Sequence, residues 1–273
     1  MKPYFQNDYV TLYHGNCVDV LNSIDSIVDG VVTSPPYGTQ RKDLYDSIAE
    51  ADYPQFTLDW MNAVSLRETG NIFINIRENI NNGILSDYVL RTKLHLRDNG
   101  WIEPDELIWI KPDSMPVGNN KRPRRSWERI CWFSKVNQPI VYPKHNGKPS
   151  KRIGLPKGQA GKNTQQWGAG YSDGFTEGMS RCKDYVEVTV SSNEKTNHPA
   201  TYPPKLAEWM IKLASLEGET ILDPFVGSGS SAVAAMKTKR KLIGIDAKEE
   251  YIEFAANRIY KYNEQIENEV TLF

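Results

Sequence analysis

The sequence predicts an α/β protein: a doubly wound, mostly parallel sheet covered by helices and carrying an irregular basic insertion. Three observations carry that expectation. Short apolar runs rich in β-branched residues alternate with segments of helical period, as a sheet between helix layers requires. Two of those runs end abruptly in turns built from proline or glycine, one early and one late in the chain. Between them, from Lys111 to Lys162, thirteen Lys and Arg residues face only Asp113 and Glu128.

The chain of 273 residues fits one large domain, or one domain with a substantial insertion, and is long enough to bury a full core. Its formal net charge of −1 excludes a protein that is basic throughout, while leaving room for a local patch. Cys17, Cys131 and Cys182 are far apart and form no CxxC pair, so neither a disulfide framework nor a zinc site is expected. Met1 to Asp8 lacks an apolar signal core, and no run approaches the roughly 18–20 apolar residues of a membrane span. The expectation is a soluble, cytoplasmic protein without a bound metal.

Taken in order, Val10 to Tyr13 reads as a strand, followed by a helix carrying Val18, Leu21 and Ile24. Gly30 to Thr33 is a continuous apolar run, the pattern of a buried strand. Gly38 to Asp52 has no period and suits either a flap or a short helix. Phe56, Trp60, Met61 and Val64 fall at helical spacing, and Asn71 to Ile76 is a further strand. Residues 84–97 read as a helix carrying Leu85, Val89, Leu90 and Leu94. Leu107 to Ile110 and Ile130 to Phe133 are strands. From Gly147 to Gly178 glycine, proline and amides dominate, with Trp167, Tyr171 and Phe175 interleaved, so no long helix is expected there. Order returns with a helical face of Leu206, Trp209, Met210, Leu213 and Leu216, stopped at Gly218. Strand Thr220 to Leu222, helix Ser231 to Met236, strand Lys241 to Asp246 and a last helix complete the chain. In that last helix Tyr251, Phe254, Ala255, Ile259 and Tyr262 form the expected buried stripe.

Two strand ends carry the chemistry. Thr33-Ser34-Pro35-Pro36-Tyr37 cannot continue a central strand, because neither proline has an N–H and each fixes φ. The result is a stiff turn with a hydroxyl, free carbonyls and an aromatic ring. Asp223-Pro224-Phe225-Val226-Gly227-Ser228-Gly229 opens a helix, and the next strand ends at Asp246, where a carboxylate can accept from two ribose hydroxyls. The glycines let backbone approach a ligand closely. This turn lacks the Lys-Ser/Thr of a phosphate-binding loop and the third glycine of the dinucleotide fingerprint, which argues against ATP and NAD. An adenosine-bearing ligand without a pyrophosphate fits better. The basic stretch suits a polyanion, since each neutralised phosphate releases counterions. Lys121, Arg122, Arg124, Arg125, Lys151 and Arg152 are its candidate phosphate contacts.

Together the two turns, in this order, resemble the S-adenosylmethionine-dependent DNA amino-methyltransferases in which the catalytic motif precedes the cofactor motif. The likeness spans residues 9–135 and 197–262. It implies that Ser34, Pro35, Pro36 and Tyr37 are catalytic. It implies a cofactor site formed by Asn16, Thr33, His198, Pro199, Ala200, Asp223, Pro224, Phe225, Gly227, Ser228, Gly229 and Asp246. Asn16 stands where the family usually has Asp, so it would hydrogen-bond without charge; Asp246 stands where Glu is frequent. Residues 1–135 would be the catalytic part and 197–273 the cofactor-binding part of one methyltransferase domain. Residues 136–196 match nothing in the family and would be its target-recognition region, with Arg152 and Gln165 as candidates to read base edges. The implied reaction is transfer of a methyl group to an exocyclic amine in double-stranded DNA, yielding S-adenosylhomocysteine, with a cognate restriction endonuclease as functional partner. Members occur as monomers and homodimers. Ser before Pro-Pro-Tyr accompanies cytosine N4 in this family, and Asp or Asn accompanies adenine N6, which is the alternative. Methylation at cytosine C5 needs a thiolate nucleophile, and none of the three cysteines follows a proline.

Overall fold

The computed structural model describes residues 1–38, 48–114, 121–149, 178–190 and 202–271, with side chains of the last helix described to Glu264. Among them the strands are β1 (Phe5–Gln6), β2 (Val10–His14), β3 (Val28–Thr33), β4 (Leu66–Ile76), β5 (Ile80–Asn81), β6 (Ile84–Leu85), β7 (Ile102–Ile110), β8 (Trp127–Ser134), β9 (Tyr185–Glu187), β10 (Thr220–Asp223) and β11 (Lys241–Asp246). The helices are α1 (Cys17–Ser23), α2 (Tyr53–Ala63), α3 (Tyr88–Asp98), α4 (Pro204–Ala214), α5 (Ser230–Lys237) and α6 (Glu249–Thr271), with a 3-10 turn at Pro143–Asn146.

Nine strands form one sheet in the order β1-β2-β11-β10-β3-β4-β8-β7-β9. The five from β2 to β4 are mutually parallel, β8 runs against both its neighbours, and β9 pairs parallel with β7. β10 and β3, almost two hundred residues apart in sequence, are hydrogen-bonded neighbours through Ile221↔Gly30 and Leu222↔Val31. The early and late parts of the chain therefore build one sheet, the mostly parallel α/β architecture expected.

Alternation along the central strands fills two helix layers. Val31, Ile72, Ile74, Leu222 and Ile243 face a core shared with α1, α2 and α3. Val32, Phe73, Ile221 and Leu242 face the other core, shared with α4, α5 and α6. Both faces are covered, which is why these strands read as unbroken apolar runs.

Three expectations need correcting. Residues 84–85 are not helical: they form the second strand of a hairpin whose turn is Asn82-Gly83, with φ of 51° and 82°. Two successive left-handed residues suit that turn, and Asn-Gly adopts them readily. On α3 the buried positions are Tyr88, Val89, Thr92 and Leu96, leaving Leu90 at 57% and Leu94 at 49% exposed. Among the described side chains of α6 the buried ones are Ile252, Ala255 and Ile259, while Tyr251, Phe254 and Tyr262 are half-buried. The described flanks of the insertion pack on the body: the Tyr142 amide donates to the Leu213 carbonyl, Asn146 Nδ2 to the Trp209 carbonyl, and Val188 is buried in the α4–α6 core.

Candidate active site

Parallel strands bring their carboxyl ends to one edge, where open α/β sheets bind ligands. Here that edge carries His14, Asp246, Asp223, Thr33 and Ile76, closing β2, β11, β10, β3 and β4. The antiparallel β8 contributes its start, with Glu128 its second residue, and β7 its end, with Lys111 immediately beyond.

The centre is a hydrogen bond of 2.7 Å from Thr33 Oγ1 to Asp223 Oδ1, which ties the end of β3 to the end of β10. Asp223 is fully buried and its carboxylate is surrounded by donors. Oδ1 also accepts from the Phe225 amide at 3.1 Å, and Oδ2 accepts from Ser231 Oγ at 2.5 Å and the Tyr202 hydroxyl at 3.3 Å. Burial outweighs these donors and pushes its carboxyl up to about 6. A carboxylate so enclosed acts by holding the two turns together; a ligand would meet the turns rather than Asp223 itself.

Asp246 differs. Its Oδ2 accepts from the Gly227 amide and its Oδ1 from the Lys248 amide, both at 3.0 Å. Burial raises its carboxyl, against these two backbone bonds. An ionised carboxylate has about four acceptor positions, so two bonds leave capacity for a diol. Gly227 takes φ of 48°, bending the loop so that its amide reaches Asp246. Gly229 takes φ of 78°, and a Cβ there would lie 3.1 Å from the Cβ of Ala255 on α6. Its missing side chain thus serves helix packing. Ser228 is buried, and its carbonyl accepts from Arg258 at 3.0 Å, so α6 also grips this loop. Pro224 is buried and Phe225 half-buried, the latter with its ring 5.7 Å from Phe56 and from Trp60. Asn16 caps α1, its side chain accepting from the Val18 amide at 2.9 Å. Acidic and neutral groups without a lysine in the loop suit a nucleoside bearing a sulfonium better than a polyphosphate. The residues described fit S-adenosylmethionine.

On the other side of β3, Pro35 is buried while Ser34, Pro36 and Tyr37 keep partial exposure. The Tyr37 hydroxyl donates to Glu128 Oε2 at 2.9 Å and contacts the Ser34 hydroxyl. Burial, then the Glu128 charge, holds the Tyr37 phenol far above its ordinary range. Glu128 Oε1 accepts from Lys111 Nζ at 2.8 Å and lies 3.7 Å from Arg77 Nη1. Glu128, Lys111, Arg77 and Tyr202 are site-edge residues that motif reading misses. Glu128 had one signal: it is one of two acidic residues within a run of thirteen cations.

Of the cationic candidates, Lys121, Arg122 and Arg124 are exposed, Arg122 donating to the Gly83 carbonyl, and Arg125 is half-buried 4.0 Å from Glu78. Lys151, Arg152, Gln165, His198, Pro199 and Ala200 lie outside the described residues. Cys17, Cys131 and Cys182 are free thiols; burial pushes Cys17 and Cys131 up to about 12, so neither offers a thiolate. No described helix is long and apolar enough to cross a membrane.

A family model described as DNA methylase matches residues 28–258. The Type II methyltransferase M.ScaI of Streptomyces caespitosus is 29% identical over 281 positions, covering 94% of this chain and 84% of that protein. M.PvuII of Proteus hauseri is 24% identical, covering 96% and 87%. The solved PvuII DNA methyltransferase, described as cytosine-N4-specific, superposes with a TM-score of 0.72 at 21% identity, over 98% of this chain and 95% of that one. M1.HpyAVI in its complex with S-adenosylmethionine gives 0.64 at 21% identity, over 92% and 98%. At such identities the structural likeness is one of fold.

Proposed function

The chain belongs to the DNA methylase family of N6 and N4 amino-methyltransferases, and we propose that it methylates the exocyclic N4 amine of cytosine in duplex DNA, as the modification half of a Type II restriction–modification pair in the cytoplasm. The observation that carries this reading is the Thr33–Asp223 hydrogen bond, which fixes the Ser-Pro-Pro-Tyr turn to the cofactor loop across 190 residues of sequence.

Bound against Asp246 and the Gly227 loop, S-adenosylmethionine supplies a methyl group already activated on a sulfonium. Asp246 accepts from the ribose hydroxyls, and Phe225 offers an apolar wall. An exocyclic amine is a poor nucleophile because its lone pair is delocalised into the ring. Ser34 Oγ and the Pro35 carbonyl accept from its N–H groups and draw it toward tetrahedral geometry. The two prolines set the carbonyl direction in advance, so little reorganisation is needed at reaction. The amine cannot be reached inside a duplex, so the base flips out at a cost of a few kcal/mol. Stacking on Tyr37, worth roughly 1–3 kcal/mol, offsets much of that. Lys121, Arg122 and Arg124 contact phosphates, and base reading falls to side chains within residues 136–196. Ser34 in the first position supports cytosine N4.

The test is product identity. Unmethylated DNA incubated with the protein and S-adenosylmethionine is digested to nucleosides and weighed. N4-methyldeoxycytidine is expected; N6-methyldeoxyadenosine in its place sinks the choice of base.

A further inference from the structure

A serine hydroxyl can donate as readily as it accepts, so a Ser34 that must receive the amine N–H needs its own proton directed elsewhere. The contacts on the far side of β3 do that. Tyr37 has one hydroxyl proton, and it goes to Glu128 Oε2 at 2.9 Å. Glu128 is 7% exposed and salt-bridged to the equally buried Lys111 and to Arg77, and an ionised carboxylate only accepts. The Tyr37 oxygen, in contact with the Ser34 hydroxyl, is therefore left to accept. Stability is a weak reason for such an arrangement, because replacing a buried ion pair by apolar residues is often neutral or stabilising.

We infer that Glu128 is a positioning residue, which sets the direction of hydrogen bonding along Glu128, Tyr37 and Ser34 so that Ser34 presents only lone pairs to the target amine. Lys111 takes one carboxylate oxygen and leaves the other for Tyr37. A neutral amide at position 128 can donate to Tyr37, which reverses the chain and aims the Ser34 proton at the substrate. The inference rests on the reading of Ser34 as the amine acceptor.

The experiment is single-turnover methyl transfer from tritiated S-adenosylmethionine, with enzyme in excess over unmethylated phage DNA. Wild type is compared with Tyr37→Phe, Glu128→Gln, their combination and Ser34→Ala, with S-adenosylmethionine affinity measured by calorimetry on each. Tyr37→Phe keeps the ring and leaves the Glu128–Lys111 pair in place, so it decides the matter even if Glu128→Gln folds poorly. Tyr37→Phe is expected to slow transfer about tenfold, the scale of one oriented hydrogen bond. Glu128→Gln should slow it at least as much, the combination no further than the slower single variant, and cofactor affinity should stay within about twofold. A wild-type rate in Tyr37→Phe, losses that multiply in the combination, or losses that appear as weaker cofactor binding each overturn the inference. Full activity in Ser34→Ala would instead overturn the reading of Ser34 itself, and the inference with it.

Discussion

A carboxylate enclosed in protein is pulled two ways, since burial favours the proton and each donor favours the charge. At Asp223 four donors converge, yet burial prevails and the carboxyl stands at about 6, raised from 3.8. The folded state thus holds this proton more tightly than the unfolded chain. Its contribution to stability is fully present below about pH 4 and is lost as pH rises through about 6, a swing on the order of 3 kcal/mol. Asp223→Asn removes the titration, and the hydroxyls of Ser231 and Tyr202 can rotate to accept from the amide. Melting temperatures of the two proteins from pH 4 to 7.5 should show wild type losing ground to Asp223→Asn up to about pH 6 and running parallel above it. If wild type gains ground instead, the four donors outweigh burial. The motif made Asp223 legible in the sequence as a candidate. Its enclosure was not, because Thr33, Tyr202 and Ser231 come from three separate elements.

Elements were legible where one periodicity ruled and illegible where two signals overlapped. The central strands declared themselves because both faces are buried, and α4 because Leu206, Met210 and Leu213 recur on one side. Residues 84–97 offered apolar residues at helical spacing, but Ile84–Leu85 is the second strand of a hairpin turning at Asn82-Gly83, and the helix begins at Tyr88. With the start shifted, the inward face shifts too: Leu96 is fully buried while Leu90 is 57% exposed. Substitution separates the two faces cleanly. Leu96→Ala should cost about 2–5 kcal/mol in urea unfolding, as for other fully buried leucines. Leu90→Glu should stay within about 0.5 kcal/mol of wild type, since it removes no buried contact. A large loss at Leu90 would mean that this face is covered.

At the scale of the molecule, the order of the two motifs in sequence carries one demand: chain segments about two hundred residues apart must pair. The pairing of β10 with β3 meets it, and no local pattern could have announced that register, because parallel neighbours are joined by topology rather than by turns. Charge is distributed on the same plan. The formal net charge of −1 hides a cationic stretch whose described, exposed members, Lys121, Arg122 and Arg124, sit between β7 and β8, whose adjoining ends lie at the edge that carries Ser34 to Tyr37. Arg67, at the opposite end of β4, is instead engaged by Asp29 and Glu219 at 2.9 and 2.6 Å. Both arginines carry one charge, so exchanging either for alanine changes the net charge equally. If Arg124 neutralises a phosphate, Arg124→Ala reduces the slope of log binding constant against log salt by about 1, weakens binding to all sequences alike and leaves cofactor affinity unchanged. Arg67→Ala should lower thermal stability and leave the slope as it was. Equal slopes for wild type and Arg124→Ala, measured by filter binding of duplex DNA from 50 to 200 mM salt, would remove the β7–β8 connection from the DNA-binding surface and leave phosphate contact to other parts of the chain.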